Sequence, residues 1–291
     1  MKQTVRIGCR ESELAIAQAE TVIRAVNEID PDIEFHLVTY RNVGGRNQSL
    51  DIDSTNTKVP LTRDIENALA SEKIDIAVHS FRDMPYSENP DFPVVALTER
   101  VSALDALVLP EGISELDNSL PVGTSSLRRA IQFKRLHPDA DIAPIRGNIT
   151  TRLAKLDLGE YSAVILSLTG LIRLGHEERV SRIFTAEEMI PSGSQGIIAI
   201  QSRLGDNCAY LAPLHSWRSE TVSLAERQFL RTMTEQTTFS TGVFAELRGE
   251  QIVIMGMFVS SDGKIITSRI SGEAARAQSL GEELALKLLA S

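Results

Sequence analysis

Asp83 is the carboxylate in this chain best placed for chemistry. It closes the segment DIAVHSFRDMP, where an apolar run over residues 74–80 enters a turn forced by Pro85, and Arg82 stands beside it. A carboxylate at a strand end can stabilise positive charge developing on a substrate, or it can satisfy the backbone N–H groups of its own turn. Arg10 and Ser12 occupy the equivalent turn after the first apolar run, residues 5–8. More cations lie in residues 123–152, GTSSLRRAIQFKRLHPDADIAPIRGNITTR. There the small-residue turn Thr124-Ser125-Ser126 opens a helix carrying Arg128 and Arg129, and a second turn opens another helix with Arg146 and Arg152 around it. Helix entrances present unpaired N–H groups and a positive dipole end, so arginines added there make a place for several carboxylates or phosphates. The same cations also read as a solvated basic face. One carboxylate among many arginines suits a substrate that is polyanionic yet becomes cationic as it reacts.

Such turns need a scaffold. Residues 13–29 carry Leu14, Ile16, Val22, Ile23 and Val26 at helical spacing, and Pro31 stops the helix. Residues 34–40 alternate as a strand, 42–58 form a long polar loop of the kind that often serves as a lid, 61–71 read as a helix and 74–80 as a buried strand. Strands are expected at 93–97, 107–109, 122, 142–145 and 163–166, with a helix at 168–173 and, after PSGSQG, a returning strand at 197–200. This rhythm predicts parallel βαβ units in two α/β lobes, with ligand groups in a cleft at the carboxyl ends of the strands. The tail differs: a helix at 219–235, strand-like runs at 243–248, 251–259 and 264–271, a hairpin turn at Asp262-Gly263, and a closing helix at 273–289 bearing Ala275, Leu280, Leu284 and Leu288. The predicted division is a first lobe of residues 1–98 and 193–216, a second of 99–192, and an α+β domain of 217–291.

At 291 residues with 42% hydrophobic composition, the chain has enough apolar material for several domains. Its net charge of −9 argues against nucleic-acid binding and makes the arginine clusters local islands that focus a small anion. No apolar run is long enough for a bilayer, and MKQTVRIGCRESE lacks a signal peptide's apolar core, so a cytoplasmic protein is expected. Cys9 and Cys208 make no disulfide framework, and the five histidines have no ligand spacing, so no metal is expected. Dinucleotide, Walker, nucleophile-elbow and zinc-protease motifs are absent from the sequence.

VRIGCRESELA, DIAVHSFRDMP, VGTSSLRR, IRGNITTRLAKLDLGEYSAVILSLTGLIRLG and PSGSQG resemble, in order and spacing, segments of the porphobilinogen deaminase (hydroxymethylbilane synthase) family. The resemblance runs from about Val5 to Gly196 and more loosely to the end. It implies two periplasmic-binding-protein-like lobes around a cleft plus a small C-terminal α+β domain. It also implies condensation of porphobilinogen, with loss of ammonia, into a linear tetrapyrrole that water releases. Asp83 matches the catalytic carboxylate under the pyrrole nitrogens. Arg10, Ser12, Thr124, Ser125, Ser126, Arg128, Arg129, Arg146 and Arg152 match carboxylate binders, and Lys58, Ser80, Arg82, Arg173 and Gln195 match further cleft positions. Arg82 stands where the family usually has lysine.

The implied partner is a small polycarboxylate pyrrole, with no nucleic acid and no membrane, and the implied protein is a monomer. The family's dipyrromethane cofactor is tied through a thioether to a cysteine, and that position falls on Thr237. NVGG and TNTKVPLT likewise depart from the family's lid. The absent cysteine leaves open a primer that is non-covalent or relocated, with Cys9 beside Arg10 either its anchor or a small buried residue. It also leaves open shorter products, and a homologue that binds pyrroles without turnover.

Overall fold

The computed structural model describes residues 3–41, 59–87, 89–237, 240–260 and 262–291, with the backbone alone for 3 and 59–61. The predicted lid and Lys58 lie outside the described residues. In chain order the elements begin β1 (Gln3–Arg10), α1 (Glu13–Ile29), β2 (Ile33–Tyr40), α2 (Val59–Ala70), β3 (Ile76–Ser80), β4 (Val94–Leu97) and β5 (Asp105–Val108). They continue with β6 (Val122–Gly123), α3 (Leu127–Leu136), β7 (Ile142–Ala143), α4 (Ile149–Asp157), β8 (Ala163–Ser167), α5 (Leu168–Arg173), β9 (Arg182–Ile183) and β10 (Ile198–Ser202). The tail holds α6 (Trp217–Gln236), β11 (Thr241–Arg248), β12 (Gln251–Val259), β13 (Ile265–Glu273) and α7 (Ala277–Leu289).

The chain separates into two compact units, one formed by the described residues up to Val101 with Gly196–Thr221, the other by Ser102–Gln195 with Val222–Ser291. The first holds the sheet β2-β1-β3-β10-β4. β1 runs parallel to β2 and β3, while β10 runs antiparallel to both β3 and β4. One face packs on α1, whose buried stripe is Ala15, Gln18, Ala19, Val22 and Val26. Val22 and Val26 lie on that stripe as their spacing predicts, Ile16 and Ile23 pack partly buried beside it, and Leu14 is half-buried. The other face covers Ile65, Ala68 and Leu69 of α2.

The second unit repeats the plan in β7-β6-β8-β5-β9. β6 is parallel to β7 and β8, while β5 is antiparallel to β8 and β9. Leu153, Leu156 and Leu171 pack on one face and Phe133 on the other. Both sheets are therefore mixed rather than purely parallel. Apolar runs reveal strands but not the direction in which β5 and β10 are inserted, and two-residue β9, exposed at both positions, gives no apolar signal.

The same unit contains the antiparallel sheet β11-β12-β13. Gly256 of β12 leaves room for Phe229 of α6 and Leu284 of α7, and a Cβ on Gly281 would meet the Ala225 carbonyl at 2.1 Å. The hairpin turn at Asp262-Gly263 is present, with Gly263 at φ +80°. β13 extends to Glu273, so the closing helix begins at Ala277 after a short 3-10 turn, later than its apolar spacing suggested. The fold is thus two α/β lobes with a C-terminal α+β element.

Candidate functional site

In the first unit the predicted residues gather at the carboxyl ends of β1 and β3. β3 leads into a 3-10 turn, Phe81–Asp83. Phe81 and Met84 are both almost fully buried, and the N–H of Phe81 donates to the Ile197 carbonyl at 3.0 Å. Each apolar burial stabilises by about 1.5–3 kcal/mol, so the turn is pinned on both sides. The pinning aims Arg82 and Asp83 outward: Asp83 keeps 40% of its side-chain surface exposed, and Arg82 Nε lies 3.5 Å from its carboxylate.

Gln18, on the buried stripe of α1, donates through Nε2 to Ser80 Oγ at 2.8 Å. Ser12 caps α1, its Oγ accepting from the Ala15 N–H at 3.3 Å. Arg10 ends β1 and is partly exposed. His79, next to Ser80, is buried, and that burial drives its imidazole down to about 4, with the charge of Asp83 opposing and that of Arg10 adding to the shift. It is therefore neutral at physiological pH.

In the second unit the corresponding strand ends carry Thr124, Ser125 and Ser126 after β6, Arg146 before α4, and Arg173 in the last turn of α5. The Thr124 hydroxyl accepts from the Ser126 N–H, and Ser126 caps α3. Ser125 Oγ donates to the Ile145 carbonyl at 2.7 Å and accepts from the Ile145 N–H at 3.1 Å, tying the entrance of α3 to the segment that opens α4. Arg146 and Arg152 are exposed or partly so, and Arg152 Nε donates to the Gly147 carbonyl at 2.8 Å.

Arg128 and Arg129 are not on the surface. Both are buried, and their Nη2 groups donate to the two oxygens of Asp105 at 2.8 and 2.7 Å. Gln195 Nε2 donates to the same carboxylate at 2.9 Å and to the Ala103 carbonyl at 2.6 Å. Burial alone would push Asp105 up, but the two guanidiniums and these hydrogen bonds outweigh it and hold the carboxyl well below the usual range. Three sequence-predicted residues thus meet on a fourth, Asp105, that sequence reading missed. Its signal was a charged residue opening the apolar run LDALVL.

The cluster reaches the C-terminal sheet. Ser194, beside Gln195, adopts a left-handed φ of +60°. Its N–H donates to Glu226 of α6 at 2.7 Å, and the other oxygen of Glu226 accepts from the Ala245 N–H of β11 at 2.7 Å. Gly242 of β11 permits close approach: a Cβ there would stand 2.9 Å from the Ile190 carbonyl, to which Arg128 Nη1 donates, and 3.1 Å from Arg128 Cδ. Thr237 follows α6, its N–H donating to the Met233 carbonyl at 2.9 Å.

Among the described residues no group of acidic, histidine or cysteine side chains could hold a metal, and no helix is long and apolar enough to cross a membrane.

Residues 5–210 match the family model described as "Porphobilinogen deaminase, dipyromethane cofactor binding domain". Porphobilinogen deaminase of Ruminiclostridium josui is 41% identical over 99% of this chain and 98% of its own length. That of Acetivibrio thermocellus is also 41% identical, over 98% of each. The Alkaliphilus oremlandii enzyme is 39% identical, over 98% of this chain and 96% of its own.

The cofactor in that description can be tested against the residues present. Its carboxylates call for cations, and Arg10 and Arg146 each keep exposed surface, whereas Arg128 and Arg129 are buried against Asp105. A thioether anchor calls for a thiol: position 237 is threonine, and of the two cysteines Cys9 is completely buried. Burial, with a smaller effect of Glu20, pushes the Cys9 thiol up to about 11, and burial raises Cys208 too. Of the two readings of Cys9, primer anchor or small buried residue, the structure bears out the buried one. With a family model spanning most of its length and full-length relatives near two-fifths identity, the chain belongs to the porphobilinogen deaminase family and is a transferase of that family.

Proposed function

We propose that this chain condenses porphobilinogen through Asp83, with Arg10 and further arginines holding the acetate and propionate groups of the pyrroles. In the condensation the aminomethyl carbon–nitrogen bond of porphobilinogen breaks and the nitrogen leaves as ammonia. The resulting cationic methylene carbon then bonds to the free α-carbon of the accepting pyrrole, which loses its proton. Positive charge therefore appears on the pyrrole ring twice, before and after the carbon–carbon bond forms. A fixed carboxylate near the ring nitrogen stabilises both cations.

The observation that carries this reading is the contrast between the two carboxylates. Asp105 is wholly buried and committed to two guanidiniums, whereas Asp83 stands outward on a turn pinned by Phe81 and Met84. Arg82 supports the reading as a donor to substrate carboxylates, with planar geometry in place of lysine's point charge. Ser12, Ser80, Thr124, Ser125 and Ser126 are proposed as hydroxyl and backbone donors, and Lys58, Arg146, Arg152 and Arg173 as further cations. A cytoplasmic monomer is part of the same proposal, its two free cysteines fitting a reducing compartment.

The test is porphobilinogen consumption by purified protein. Asp83→Ala is expected to lower kcat at least a hundredfold with its melting temperature held within a few degrees, since the side chain is exposed. Consumption unchanged in Asp83→Ala would remove Asp83 from the chemistry, and no consumption by the wild-type chain supplied with a pyrrole acceptor would remove the reaction itself.

A further inference from the structure

We propose that this chain holds its pyrrole primer by ion pairs and hydrogen bonds alone, and that the primer exchanges with solution. This rests on the condensing reading above. A thioether needs a thiolate at the anchor, and Thr237 offers a hydroxyl, which is not ionised at neutral pH. No thiol elsewhere replaces it. The sequence has two cysteines, of which Cys9 lies in the core between β1 and α1 with no exposed surface, and its Sγ donates to the Arg10 carbonyl at 3.4 Å. Cys208 lies beyond the other end of β10, in the segment that packs against α1.

What remains is the ionic grip. Arg129 is more than nine-tenths buried, two of its nitrogens are fixed by Asp105 and the Ile165 carbonyl, and its Nε–H has no hydrogen-bond partner among the described residues. A buried donor left over in this way is costly unless something binds it. Arg128, locked to the same carboxylate, lies against Gly242, five residues beyond Thr237. The guanidiniums are fixed by Asp105 before any ligand arrives, so an anion held on that leftover donor would need no covalent bond to the protein.

The experiment uses the full chain and, as probe, a free dipyrromethane bearing acetate and propionate groups. Intact-mass measurement of the denatured protein is expected to give the unmodified 31.9 kDa chain. Porphobilinogen consumption is expected to rise and saturate with added dipyrromethane and to fall back at least tenfold after gel filtration. A pyrrole adduct that survives denaturation overturns the proposal, even if porphobilinogen is consumed. Reversible dipyrromethane binding without consumption leaves the proposal standing and sinks the condensing reading instead. No binding and no consumption overturns both. Thr237→Cys is expected to convert exchange into retention, with a mass increment that persists in denaturant after incubation with porphobilinogen. A variant that still releases all its pyrrole would show that residue 237 does not set the mode of attachment.

Discussion

His79 and Asp105 are both buried titratable side chains, and they respond to pH in separate windows. His79 is depressed from its ordinary 6.5 to about 4 by burial. The unfolded chain therefore takes up this proton first as pH falls, and stability is lost from about 6.5 down to about 4, on the order of 3 kcal/mol in all. Asp105 is depressed as well, so its contribution is complete above 3.8, the ordinary aspartate value, and is lost only below it. Urea unfolding at pH 7.5 and pH 4.5 should thus show a loss in the wild type that is markedly smaller in His79→Gln. His137 is also lowered, by burial and by Arg182, and so also costs stability as pH falls below 6.5, which makes the difference between the two proteins the informative quantity. Equal losses in both would mean that His79 is not neutral in the fold.

At the scale of elements, α3 is fastened to the start of β5 by an ion triad that its own amphipathicity does not reveal. Removing one partner of a buried pair strands the others, at about 3–5 kcal/mol, whereas a half-exposed pair is worth about 1 kcal/mol or less. Asp105→Ala is therefore expected to lower unfolding free energy by several kcal/mol. Asp157→Ala, which breaks the partly exposed pair with Arg179, should cost about 1 kcal/mol or less; equal costs in the same urea titration would refute the triad's role. The sequence showed α1, α5 and β12 to the residue, because helix spacing and unbroken apolar runs are local properties. It could not show that Arg128 and Arg129 turn inward, since their partner lies 23 and 24 residues away in the chain. Nor could it show Gln18 beneath Ser80, where a polar residue occupies a place on a buried stripe that periodicity assigns to apolar ones. The turn at Asp83 was legible because Pro85 and the end of an apolar run mark it directly.

For the whole molecule, each five-stranded sheet takes its one inserted antiparallel strand from across a long stretch of sequence. β10 is separated from β4, the neighbour it pairs with, by the entire second sheet, and among the described residues β4 pairs with β10 alone. While the chain is being synthesised, β3 and β4 must therefore wait, with open hydrogen-bonding edges, until about a hundred further residues have left the ribosome. A fragment ending at residue 195 should accordingly remain open in the first sheet and aggregate. Adding back residues 196–221 should restore protected amides in β3 and β4 by hydrogen exchange; protection in the shorter fragment would contradict this order of events. The late arrival of a five-residue strand makes the N-terminal half a client for chaperones through most of its own translation.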